Sequence, residues 1–173
     1  SGNLLWQTPT QDTSIYGSTF KLINSDLVLE GQSIYFSNNQ NEFFSIDVNS
    51  GVINWKQKVK SSLRPSIIDN LILTISDNGY LFVLDKELGN IIRITDLFGH
   101  YKKKKRKKII PVGFLVAKKN IYLTTNTGKL ILIDISSGKT VKTIKIDNER
   151  ISQPFILNNY LFIAKNNSII KLN

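Results

Sequence analysis

The chain has 173 residues, of which 41% are hydrophobic and 21% charged, a balance typical of a folded globular domain and not of a disordered segment. It contains no cysteine, which excludes disulfides, thiol nucleophiles and thiolate metal sites. The formal net charge is +10, and seven cations lie in one run at residues 102–108, so any inference about an acidic partner depends on that run.

Three segments follow one template: two short apolar runs, rich in β-branched and aromatic residues, are separated by a polar turn and followed by Asp and, four residues later, Gly. This pattern predicts antiparallel strands, because the runs are too short for helices and end at turn-forming residues. The recurring pairs are Asp47 with Gly51, Asp85 with Gly89, and Asp134 with Gly138. We interpret them as structural turn residues, in which Asp accepts backbone N–H bonds and Gly adopts the left-handed conformation.

Two more strands belong to each template. One begins near Pro65, Pro111 and Pro154, and another follows each Gly, at residues 52–59, 90–95 and 139–146. Four antiparallel strands in about 40 residues are typical of a propeller blade. We therefore predict an all-β fold, a β-propeller of four-stranded antiparallel blades. Residues 1–173 form a single module with blades at about 18–59, 62–95, 110–146 and 151–173.

The two ends of the chain look complementary. Residues 3–7 match residues 52–56, with a Gly four positions before Trp6 and before Trp55, whereas the last blade has no fourth strand of its own. We expect strand 3–8 to complete that blade, either within one chain or between two chains. The sequence is compatible with two arrangements. Four blades close into a ring alone, or two half-rings form a homodimer that is an eight-bladed propeller.

The basic run lies in an insertion. Asp47 and Asp85 are 38 residues apart and Asp85 and Asp134 are 49 apart, so residues 99–109 extend an inter-blade loop. A cluster of cations can bind three kinds of partner: nucleic acid, an anionic membrane surface and an acidic protein. We favour a solvated, mobile loop, with or without electrostatic steering toward an acidic protein, and disfavour nucleic acid because only Tyr101 supplies an aromatic ring nearby. The interaction loop comprises Lys103, Lys104, Lys105, Arg106 and Lys107.

No residue pattern indicates catalysis. His100 is the only histidine, and its place in the basic insertion predicts an exposed side chain without an orienting partner. The recurring Asp residues are explained by their turns. We predict no catalytic, cofactor-binding or metal-binding residue and no cofactor.

Residues 45–55 read Ser-Ile-Asp-Val-Asn-Ser-Gly-Val-Ile-Asn-Trp and resemble the repeat of pyrroloquinoline-quinone-like (PQQ-like) propellers. The resemblance implies that Trp6 and Trp55 dock against neighbouring blades; Arg93 and Lys142 stand at that position elsewhere. Within this superfamily the chain is most similar to the BamB-type family of outer-membrane β-barrel assembly.

That resemblance implies the C-terminal half of an eight-bladed, non-enzymatic scaffold that binds a component of the assembly machinery. It also implies a periplasmic, outer-membrane-associated location, with the targeting segment and lipid anchor outside this sequence. Two alternatives stay open: a fragment or remnant of a PQQ-dependent dehydrogenase, whose family uses a vicinal disulfide that a cysteine-free chain cannot form, and a propeller sensor domain.

Overall fold

The computed structural model describes residues 2–10, 24–38 and 40–172. In these ranges the chain forms fifteen strands and one helical turn. The elements are β1 (Val28–Glu30), β2 (Ser33–Ser37), β3 (Phe43–Asp47), β4 (Ile53–Gln57), β5 (Ser66–Ile68), β6 (Leu71–Ile75), β7 (Tyr80–Asp85), β8 (Ile91–Asp96), α1 (Lys103–Arg106), β9 (Pro111–Ala117), β10 (Asn120–Thr125), β11 (Lys129–Asp134), β12 (Thr140–Lys145), β13 (Phe155–Leu157), β14 (Tyr160–Lys165) and β15 (Ser168–Leu172).

The strands form sheets of neighbours in chain order. Three sheets have four strands, β1 to β4, β5 to β8 and β9 to β12, and the last has three, β13 to β15. The paired strands run antiparallel, as short polar turns between successive strands require. The predicted start of the first blade, at residue 18, lies outside the described residues.

The segment expected to form strand 3–8 is not a strand in the structure. Residues 2–10 have no assigned secondary structure, and Leu4 and Leu5 are 79% and 89% exposed. The segment is held instead by side-chain contacts of Trp6 and Thr8 with the turn after β3. Its pairing with the last sheet stays a prediction.

The chain divides into two compact units, residues 1–74 with 82–93 and residues 75–81 with 94–173. Each unit has its own apolar core. In the first unit, one cluster of buried residues is Tyr35, Phe43, Val59, Ile72 and Leu84. In the second, the cluster is Leu130, Ile151, Leu161 and Ile163. Four consecutive residues of β3, from Phe43 to Ile46, are buried, so this strand is covered on both faces.

A β-bulge recurs where the fourth strand of a sheet begins. Ser45 pairs with Trp55 but Ile46 pairs with Ile53, and β11 and β12 show the same shift between Leu132 and Ile133. The extra residue bends the outer strand and changes the direction of the side chains that follow it. In the first sheet the residue directly after the bulge is Trp55.

Candidate functional site

The three recurring Asp residues serve their own turns. Oδ1 of Asp47 accepts hydrogen bonds from the backbone N–H groups two and three residues later, at N···O distances of 3.1 and 2.7 Å. Oδ1 of Asp85 accepts the equivalent hydrogen bonds at 2.9 and 2.7 Å. Each turn closes on a Gly whose φ is about +70°, a conformation that side chains with a Cβ rarely adopt: 72° at Gly51 and Gly89 and 68° at Gly138. The carboxylates are therefore engaged by local donors.

Asp134 has the most donors of the three. The hydroxyls of Ser136 and Ser137 donate to its Oδ1 at 2.6 and 2.7 Å, and the N–H of Ser137 donates at 2.8 Å. These bonds stabilise the charged carboxylate and lower the pKa of Asp134 from 3.8 to about 2. The N–H and hydroxyl of Ser50 likewise lower the pKa of Asp47.

Trp55 lies against the turn of the following sheet. Its indole N–H donates to the carbonyl oxygen of Lys86 at 3.1 Å, and its ring covers Gly89 so closely that an added Cβ would overlap it. Trp6 has the same relation to the turn of the first sheet: its N–H donates to Val48 O at 2.9 Å and its ring covers Gly51. These contacts hold the two turns in place.

The third turn is covered by a residue that the sequence did not indicate. Thr95 lies against Gly138, where a Cβ would approach its Oγ1 to 2.7 Å. The repeat pattern places Arg93, and not Thr95, at the position equivalent to Trp55. Thr95 and Gln57 each lie six residues after the Gly of the preceding turn, but the residue type at this offset varies and does not indicate the contact.

The basic insertion has an ordered frame. Lys103–Arg106 form the helical turn α1, and buried apolar side chains flank it: Phe98 is 0% exposed and Ile109 4%. Gly79 lies under the Phe98 ring and its carbonyl oxygen accepts the N–H of Leu97 at 3.0 Å. The insertion therefore differs from the solvated, mobile loop that we expected, because it contains a helical turn and the apolar residues on either side of the charge run are buried.

Arg106 connects α1 to the sheet beneath it. Its Nη1 lies 2.7 Å from Oδ2 of Asp96, and its guanidinium carbon lies 5.1 Å from the centre of the Tyr80 ring. A hydrogen bond with Tyr80 and the charge of Asp96 raise the pKa of Arg106 further above its usual range. Arg106 is the one cation of the run that forms an ion pair within the described ranges.

A cleft of about 680 Å³ lies beside the helical turn. We call it the α1 cleft, and its lining residues are Asp77, Asn78, Tyr80, Tyr101, Lys103, Arg106, Lys107, Ile109 and Ile110. A second depression of about 520 Å³ is lined by His100, Tyr101, Lys102, Lys104, Lys105 and Lys108. The structure thus brings Lys103, Arg106 and Lys107 into the α1 cleft and places Lys104 and Lys105 in the other depression.

His100 is exposed, and its ring lies 4.0 Å from that of Tyr101, centre to centre. Across residues 2–10, 24–38 and 40–172, no three His, Cys, Asp or Glu side chains are grouped as a metal site would require. The helical turn α1 lacks the length and apolar character that a helix needs to cross a lipid bilayer, and those ranges contain no other helix.

Comparison with known sequences gives one family. The model described as outer membrane protein assembly factor BamB matches residues 1–95. The curated outer membrane protein assembly factor BamB of Legionella pneumophila (strain Paris) is 24% identical over 139 residues. The match covers 79% of this chain and 31% of that protein, so the chain spans about a third of its relative's length.

Solved structures show the fold. BamB from Moraxella catarrhalis aligns with a TM-score of 0.62 and 14% identity, over 85% of this chain and 60% of that one. The β-propeller domain of Cps50 (Swd1) from Myceliophteria thermophila aligns with a TM-score of 0.59 and 12% identity, over 77% of this chain and 45% of that one. With the antiparallel sheets described above, these likenesses confirm the predicted β-propeller fold.

Proposed function

Because this chain belongs to the family of the outer membrane protein assembly factor BamB, we propose that it is a non-enzymatic scaffold that binds a protein component during outer-membrane protein assembly. The observation that carries the proposal is the match of the family model to residues 1–95, more than half of the chain. The location that goes with this role is the periplasm, at the outer membrane.

The geometry of the recurring residues supports a scaffold. Asp47, Asp85 and Asp134 are held by donors of their own turns, and Trp6 and Trp55 fix the turns that they cover. Sheets that are fixed in this way present their connecting loops in a set conformation. A partner that binds those loops does not have to order them, which lowers the entropic cost of association.

The assembly role is tested in the source organism by deleting the complete gene. We expect less folded outer-membrane β-barrel protein in the deletion strain, measured by the shift of a heat-modifiable barrel protein on gels, and restoration by the wild-type gene. Fractionation should place the protein in the periplasm or at the outer membrane. Unchanged barrel assembly together with a cytoplasmic location would contradict the proposal.

The non-enzymatic part has a separate test. The purified protein is titrated with pyrroloquinoline quinone in the presence of Ca²⁺, and the quinone absorbance spectrum is recorded. We expect no saturable change in that spectrum. A saturable change with a stoichiometry near one would favour the dehydrogenase interpretation over the scaffold.

A further inference from the structure

We propose that the α1 cleft binds an acidic peptide segment of a partner protein, with a carboxylate on Lys103 and Lys107 and an apolar side chain on the floor of the cleft. This inference goes beyond the assembly role, because it assigns a binding site and a ligand chemistry that hold for any partner carrying such a segment.

Charge is the first argument. The unit of residues 75–81 and 94–173 contains sixteen Lys and Arg and five Asp and Glu. The other unit contains seven Lys and Arg and eight Asp and Glu. Asp77 is the single acidic residue in the lining of the α1 cleft, against three cations. Among the described residues, Lys103 and Lys107 form no ion pair. The cleft therefore has a positive excess that attracts acidic segments and raises their association rate.

The second argument is that these two lysines are held in position. They are four residues apart and so lie on one side of the helical turn. The turn itself is fixed from below by the Arg106–Asp96 ion pair and by the buried Ile109. Arg106 therefore stabilises the turn through its ion pair with Asp96. Of the three cations in the cleft lining, Lys103 and Lys107 are available to bind a ligand. Little of the backbone has to be ordered on binding.

The floor of the cleft favours a peptide over a membrane. Ile109 and Ile110 line the floor with apolar side chains, and Ile110 is 51% exposed. A volume of about 680 Å³ falls within the range of ligand pockets, about 300–1,000 Å³. A side chain that projects from a peptide can enter such a concavity. A lipid surface is flat on this scale and would attract all exposed lysines of the run to a similar degree.

The aromatic rings argue against single-stranded nucleic acid. Binding of that kind depends on open ring faces on which bases stack. Here Arg106 covers the Tyr80 ring, and the Nζ atoms of Lys105 and Lys129 lie 5.1 and 4.9 Å from the centre of the Tyr101 ring. These rings are therefore contacted by cations of the protein itself. Within the described ranges, Lys103 and Lys107 make no such contact and can bind carboxylates.

The run provides a matched pair of variants. Lys103→Gln/Lys107→Gln removes two charges from the α1 cleft, and Lys104→Gln/Lys108→Gln removes two charges at the same spacing from the second depression. Binding is measured by fluorescence anisotropy with a labelled peptide that alternates Asp and Glu around one central Phe. The same sequence with Asn and Gln in place of the acids is the neutral control.

We expect the acidic peptide to bind wild type more tightly than the neutral peptide, and the cleft variant to bind it about ten-fold more weakly, as two lost ion pairs of about 0.7 kcal/mol each imply. The second variant should lose no more than about two-fold. Amide chemical shifts in the wild type should move at Tyr80, Ile109 and Ile110.

Three results would overturn the proposal. Equal weakening by both variants would mean attraction to the run as a whole, with no role for the cleft. Equal affinity for the acidic and neutral peptides would remove the carboxylate requirement. Stronger binding to vesicles containing phosphatidylglycerol, or to an oligothymidylate, with equal sensitivity to both variants, would assign the run to a membrane or a nucleic acid. None of these results depends on the outcome of the gene deletion.

Discussion

Trp6 and Trp55 make equivalent contacts on two successive turns of the chain. Each indole N–H donates to the carbonyl oxygen of the residue after the turn Asp, and each ring covers the turn Gly. Thr8 and Gln57, two residues after each Trp, donate to the carbonyl oxygen of that same Gly. Residues 6–8 therefore contact the turn of the first sheet in the same way as β4 contacts the turn of the second sheet. They do so without forming a strand.

The contact between Trp55 and Gly89 predicts a specific energetic coupling. Gly89→Ala should destabilise the protein by about 2 kcal/mol or more, because Ala at positive φ is strained and its Cβ overlaps the indole ring. Trp55→Ala should cost about 3 kcal/mol through lost packing. In the double variant the overlap is relieved, so the combined cost should be smaller than the sum. Urea unfolding of all four proteins measures the cycle.

Leu88→Ala is a control for that cycle, since Leu88 is 68% exposed on the same turn and should change stability by less than about 0.5 kcal/mol. Additive costs of Gly89→Ala and Trp55→Ala would show that the ring does not restrict the turn.

Local patterns predicted antiparallel strands and their turns, but they also predicted a strand at residues 3–8, where the structure has none. The alternation of apolar runs with Asn, Asp and Gly predicted antiparallel four-stranded sheets, and the spacing of Asp47 and Gly51 indicated a turn that recurs with the same backbone hydrogen bonds. The basic insertion was not predictable in this way. A run of like charges carries no signal that one member, Arg106, pairs with Asp96 at the end of β8 and lies on Tyr80, 26 residues earlier. Partners so far apart in sequence are defined only by the fold.

The lowered pKa of Asp134 predicts a pH-dependent part of the stability. A carboxylate whose folded pKa is below its unfolded value stabilises the folded state above about pH 4, and this contribution is lost as the pH falls through about 2. Asp134→Asn should be less stable than wild type at about pH 5, and the difference should shrink at about pH 2.5. Urea unfolding at both pH values measures it. A difference that stays constant with pH would contradict the role of the charged carboxylate.

The Arg106–Asp96 ion pair predicts how fast trypsin cleaves the basic insertion. Arg106→Gln should release the helical turn from the sheet and accelerate cleavage at the remaining lysines of residues 102–108, several-fold, because cleavage follows the population of open conformations. Lys104→Gln also removes one trypsin site but breaks no ion pair, so it should not accelerate cleavage. The fragments are followed by mass spectrometry. Equal rates in the two variants would show that Arg106 does not hold the insertion.

The last sheet predicts the register in which residues 3–8 would complete it. Ile34 and Leu161 are each the second residue of the second strand in their sheet, directly after a two-residue turn. They are therefore equivalent, and they pair with Ile46 and Leu172 respectively. Lys171 therefore corresponds to Ser45, which pairs with Trp55. If residues 3–8 act as a fourth strand, Trp6 pairs with Lys171 and Gln7 with Ile170.

The absence of native cysteines makes this register testable by disulfide formation. Gln7→Cys with Ile170→Cys should form a disulfide under mild oxidation, because directly opposed residues of antiparallel strands have a suitable Cα separation of about 4.5–5.5 Å. Gln7→Cys with Lys171→Cys, one residue out of register, should form much less, because successive side chains point to opposite faces. A cross-linked monomer on a non-reducing gel means closure within one chain, and a cross-linked dimer means that two copies complete each other. No disulfide in either variant would show that this segment is not the fourth strand.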